Sequence, residues 1–74
     1  MSPSVSFRDV EKMLKECADG ATLRLGTHSR IVTYSGRLYR TLPKFDNIEL
    51  GHVRKMVRNL GISKDCANRQ IPLL

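Results

Sequence analysis

Apolar positions recur at helical spacing in two stretches of this chain, and between them they recur at the spacing of short strands. Over "SFRDVEKMLKECADG", Phe7, Val10, Met13, Leu14, Cys17 and Ala18 line up as one apolar stripe, which predicts an amphipathic helix with that stripe in the core. Ser6 is placed to cap it, Asp9 three residues on completes a short capping box, and Asp19-Gly20 supplies the stop. Over "HVRKMVRNLGIS", Val53, Met56, Val57 and Leu60 fall at i, i+3, i+4 and i+7. Gly61 is the expected residue just past that helix, and Ile62 supplies the apolar contact of a Schellman ending.

Between the helices, "ATLRLG", "HSRIVTY" and "RLYRTLP" read as three strands. Gly26-Thr27 marks a tight reversal, and Ser35-Gly36 a hairpin turn. Ile31, Val32, Thr33 and Tyr34 favour a strand by side-chain shape. Pro43 ends the third strand because it cannot donate to the ladder. The row Leu38, Arg40, Leu42 is mixed, so it is not purely buried. "KFDNIELG" reads as a loop. "SKDCANRQIPLL" leaves room for one short turn capped by Ser63, with Pro72 marking a loose tail.

Two apolar helix stripes need one surface to cover, and a face of the meander is the surface available. The expected fold is therefore α+β in the order α-β-β-β-α. A three-stranded antiparallel sheet carries two helices on one face, as in double-stranded-RNA-binding domains. Residues 1–74 read as one domain, with its core over 6–63 and a short turn and tail over 64–74. A chain of this length buries only roughly 60% of its unfolded surface, so the core is small.

Charge changes the picture because it is uneven. Residues 1–20 hold three Lys/Arg against four acids, and residues 21–74 hold ten against three, for a net charge of +6. A field of that sign on one part of a protein attracts polyanions, and phosphate is its commonest partner. The two cysteines, Cys17 and Cys66, fit no C-x-x-C or Cys/His ligand spacing. A single disulfide is thin support for a secreted scaffold, so both read as reduced thiols. No metal ligand set and no cofactor is expected. No apolar run of membrane-spanning length and no signal-peptide pattern is present, so the chain reads as soluble and cytoplasmic, without membrane contact.

Four elements then fall in a telling order. Gly26-Thr27-His28 opens a strand, Gly36-Arg37 lies in a hairpin turn, Leu42-Pro43 closes the third strand, and "GHVRKMVRNLGIS" (51–63) follows as a helix. Together they resemble the HicA family, small toxins of bacterial and archaeal toxin–antitoxin pairs, over most of the chain. The resemblance implies a ribosome-independent mRNA interferase on a double-stranded-RNA-binding-like fold. It also implies His28 as the catalytic histidine, and a HicB-type antitoxin that binds and occludes it.

Cleaving RNA without metal uses the substrate's own 2′-hydroxyl as nucleophile, so the protein must take a proton and stabilise charge on phosphorus. Imidazole suits proton transfer near neutral pH, and guanidinium groups pair with phosphate oxygens as a bidentate fork. Arg24 and Arg30 are the nearest arginines, and Arg30, two residues after His28 in a strand, is expected on the same face. Gly26 allows close backbone approach to a ligand, and Thr27 beside it is a candidate RNA contact. Arg54, Lys55 and Arg58, on the polar face of the second helix, are placed to grip a phosphate backbone. No residue is assigned to protonate the leaving oxygen; Tyr39, a lysine or water would serve.

The plainer reading makes His28 a strand-edge residue bonded locally, and His52, near a helix N-terminus, a solvated one. Tyr34 and Tyr39 either stack on unpaired bases or pack at the sheet surface. Two other classes of function fit the same pattern: a non-catalytic RNA-binding module, and a small protein-interaction domain.

Overall fold

The computed structural model describes residues 3–74; Met1 and Ser2, within the expected domain, lie outside the described residues. The first helix, α1 (Phe7–Cys17), starts where its cap predicts, with the Ser6 hydroxyl accepting the Asp9 amide at 3.2 Å. Its stripe buries Val10, Met13 and Leu14. Immediately before it, β1 (Ser4–Ser6) pairs antiparallel with β5 (Asn47–Glu49), Val5 opposite Ile48. This small ribbon corrects the expectation of a loop over 44–51. Three-residue strands carry almost no periodic signal, and here each supplies one apolar residue, Ile48 fully buried and Val5 partly so against the core.

The meander forms as expected. β2 (Thr22–Leu25), β3 (Arg30–Tyr34) and β4 (Arg37–Leu42) make one antiparallel sheet in that order. Ser35 and Gly36 both take positive φ, 53° and 78°, between the paired residues Tyr34 and Arg37. Two such residues make the primed hairpin turn that matches strand twist. Farther along, Arg30 pairs with Leu42 but Val32 pairs with Tyr39. Ile31 therefore faces two residues, Arg40 and Thr41, in a β-bulge. The bulge resolves the mixed row, because it lets Leu38 point outward while Tyr39 and Leu42 both point inward.

One sheet face carries every buried sheet residue: Arg30, Val32, Tyr39 and Leu42. It shares one core cluster with Met13 of α1 and with Val53, Met56 and Leu60 of α2 (Leu50–Leu60). The helix α2 starts at Leu50, ahead of the apolar stripe, straight out of β5. It ends at Gly61, where the Ile62 amide reaches back to the Val57 carbonyl at 3.0 Å, as a Schellman ending requires. The helix layer stops short of β2. Leu23 and Leu25 pair with Val32 and Arg30 and share their face, yet both are exposed.

Two expectations fail at the C-terminal end. Ser63 does cap a third helix, α3 (Lys64–Gln70), but the residues after it are docked. Ile71 is buried, Asn68 Nδ2 donates to the carbonyls of Pro72 and Leu74, and Arg54 donates to that of Leu73 at 3.2 Å. The cysteines are also not free thiols. Cys17 at the end of α1 is disulfide-bonded to Cys66 in α3, with Cα atoms 5.7 Å apart. The two helices pack along each other, which brings together residues that lie 49 apart in sequence.

Candidate nucleic-acid interface

The loop joining β2 to β3 is closed by a bond from the Gly26 amide to the Ser29 carbonyl, 2.7 Å long. Leu25–Arg30 is the last ladder pair before it, so residues 26–29 form a four-residue loop. A Cβ on Gly26 would lie 3.0 Å from the Ser29 carbonyl oxygen and 3.2 Å from Ile31 Cδ1. The glycine is thus needed for the chain's approach to itself. The Ser29 hydroxyl donates to the Arg40 carbonyl, which ties the loop to the β4 bulge.

His28 sits in this loop rather than in a strand, and it is exposed. Among the described residues its ring has no hydrogen-bond partner, which sets aside the reading of a locally bonded edge residue. Lys44 is tied to this loop: its Nζ donates to the carbonyl of Thr27, the residue before His28, at 3.0 Å. An ammonium has three donors, and this bond uses one of them. Sequence reasoning missed Lys44.

Arg30 is the main correction. It does not stand beside His28 but on the core face, 8% exposed. Its guanidinium donates to the carbonyls of Pro43 at 2.6 Å and Phe45 at 3.0 Å, and lies 3.5 Å from the centroid of the Phe7 ring. The expectation assumed a strand already running at His28, in which residues two apart share a face. The loop ends that alternation, so the inference of a shared face fails. Arg24 does point outward, paired with Ile31 on the open face, where Arg40 flanks Ile31 from the other side. Thr27 is exposed next to His28.

The remaining predicted residues lie elsewhere. Arg54, Lys55 and Arg58 are exposed on the side of α2 that faces away from the sheet. Arg54 and Arg58 line a groove of about 360 Å³ between α2 and α3, with Lys64, Asp65 and Asn68. The structure therefore unites His28, Thr27 and Lys44 at one end of the sheet, with Arg24 and Arg40 on its open face, and leaves the α2 cations on a separate surface. Tyr39 is buried and its hydroxyl lies 3.4 Å from His52 Nδ1, while Tyr34 packs half-buried against the core. Tyr39 therefore offers no face to a base, and His52 is partnered rather than simply solvated. Among the described residues no three His, Cys, Asp or Glu side chains gather where they would hold a metal ion, and no helix is long and apolar enough to cross a membrane.

Comparison with protein-family models, with curated proteins and with solved structures finds no match to this chain. The site must be argued from its own chemistry.

Proposed function

We propose that this chain is a HicA-like toxin of the cytoplasm: an endoribonuclease that cleaves mRNA without a metal ion, on a fold arranged like a double-stranded-RNA-binding domain, and is held in check by a HicB-type antitoxin. The observation that supports this reading is His28, exposed and, among the described residues, unpartnered on a closed loop, with Lys44 fastened to the carbonyl of the preceding Thr27. In the proposed step His28 takes the proton from a ribose 2′-hydroxyl. The 2′-oxygen forms its bond to the adjacent phosphorus as the bond to the 5′-oxygen breaks, leaving a cyclic phosphate and a 5′-hydroxyl. Water, or the Lys44 ammonium, returns a proton to that 5′-oxygen. Lys44 and Arg24 offer positive charge to the phosphate oxygens. A general base of this kind contributes roughly 10²–10⁴-fold.

The deciding experiment is incubation of RNA with the purified protein in EDTA. Cleavage that disappears in His28→Ala while RNA binding persists supports the nuclease; intact RNA with the wild-type protein refutes it.

A second reading, a non-catalytic RNA-binding module, has one observation in its favour. Arg30, the guanidinium nearest His28 in sequence, is engaged by the Pro43 and Phe45 carbonyls and is closed to phosphate. Under that reading RNA is bound with a steep salt dependence and never cut.

A further inference from the structure

Four of the chain's residues are aromatic, two tyrosines and two phenylalanines, with no tryptophan. Phe7, Tyr34 and Tyr39 are wholly or partly buried, and Phe45 is 75% exposed. A single exposed phenylalanine needs no explanation by itself. The surroundings of Phe45 set it apart, because its loop is fixed residue by residue. Arg30 holds the carbonyls of Pro43 and Phe45, Lys44 reaches across to Thr27, and the Phe7 amide donates to the Asp46 carbonyl at 2.6 Å. Arg30 is in turn held against the Phe7 ring. Leu25, 70% exposed, is the ladder partner of the same Arg30. Phe45 is thus displayed on clamped backbone, held by the residue that anchors the His28 end of the sheet.

We infer that Phe45 is a stacking platform for an unpaired base of RNA, so that the substrate class at this site is single-stranded or looped RNA rather than duplex. The inference rests on the RNA-cleavage reading above and narrows it. Charge selects the occupant. The chain carries +6, Lys44 precedes the ring in sequence and is bonded to Thr27, the neighbour of His28, and a nucleic acid brings phosphate and a flat apolar face together. Every base has such a face, but a duplex hides its faces within the stack. The clamped loop lowers the ordering cost of contact. Lys44 is placed to meet the phosphate of the stacked nucleotide, which brings the adjoining ribose toward His28.

The absence of tryptophan makes the test direct. Phe45→Trp creates a protein with one indole, at the proposed platform. Titration with an unpaired oligoribonucleotide is expected to quench its emission, and the same sequence annealed to its complement is expected to leave it unchanged. In parallel, Phe45→Ala is expected to weaken binding of the unpaired strand, followed by anisotropy of a labelled RNA, by roughly 5- to 150-fold, with duplex binding unaltered. Phe45→Tyr restores it. If the wild-type protein binds and cuts RNA, but Phe45→Ala does so equally and the indole is not quenched, this inference fails and the nuclease stands. If no RNA is bound by any variant, both fail. An indole emission that shifts to the blue with protein concentration alone also overturns the inference and makes the patch a self-association surface.

Discussion

Arg30 stacks on Phe7, its guanidinium carbon 3.5 Å from the ring centroid, and with the same group it holds the carbonyls of Pro43 and Phe45. Charged side chains are almost never buried without partners, and here two carbonyls and a ring face supply them. The arginine joins the start of α1 to the loop after β4, and so fixes the end of the sheet that presents His28. Its loss leaves two carbonyls short of donors. Arg30→Ala is expected to cost about 3 kcal/mol of stability, from two charge-assisted hydrogen bonds and a cation–π contact. Arg30→Lys should recover part of this, since lysine replaces the charge but not the fork. Urea denaturation measures both. An Arg30→Ala protein as stable as wild type, but weaker for RNA, would return Arg30 to the role of a phosphate ligand.

Arg30 also marks the limit of what was legible in the chain. Both long helices could be read, with their caps, because their stripes repeat over about three turns and because Ser6 and Gly61 have specific work at the ends. The hairpin turn was legible from Ser35-Gly36. The relation of Arg30 to His28 was not, since residues two apart share a face only where the strand already runs, and the strand begins at Arg30. The β4 bulge had a faint signal in the mixed row of Leu38, Arg40 and Leu42. The ribbon of β1 and β5 had none beyond Val5 and Ile48. Lys44 became part of the site only with the fold, because its bond to the Thr27 carbonyl joins residues 17 apart in sequence.

The disulfide makes a separate prediction. Cys17 and Cys66 close a loop with a sequence separation of 49. On the chain-entropy model a cross-link of that span stabilises by roughly 4 kcal/mol. Reduction, or the pair Cys17→Ser and Cys66→Ser, is therefore expected to lower the denaturation midpoint substantially, with α3 and the docked residues after it released first in hydrogen exchange. Glutathione keeps most cytosolic thiols reduced, so the bond pulls against the proposed compartment. Alkylation of the cells before lysis, followed by mass measurement, tests this. Two alkylated cysteines would place the chain where thiols stay reduced, and none would place it in an oxidising space.

Gly26→Ala should act through the loop and not through a ligand. The added methyl meets the Ser29 carbonyl oxygen at 3.0 Å, and a backbone atom closed into a turn has little room to give. A cost of roughly 1–3 kcal/mol is expected, as for other overpacked sites, with His28 displaced. Thermal melts and RNA cleavage should fall together. Unchanged stability with lost activity would show instead that the glycine makes room for RNA.

The two basic surfaces give the last prediction, because one RNA strand at His28 need not touch both. Arg24 and Lys44 belong to the sheet, whereas Arg54, Lys55 and Arg58 face outward from α2 on the other side of the helix layer. Each phosphate contact contributes roughly 0.7–0.9 to the slope of log affinity against log salt. If the strand to be cut lies at the sheet end, Lys44→Gln and Arg24→Gln should each weaken its binding and flatten that slope by close to one contact. Arg54→Gln and Arg58→Gln should then leave it nearly unchanged. Arg54 is in any case partly engaged by the Leu73 carbonyl. The opposite pattern, with the slope carried by α2 and indifferent to Lys44, would mean that RNA binds away from His28. No proton transfer by that imidazole could then follow.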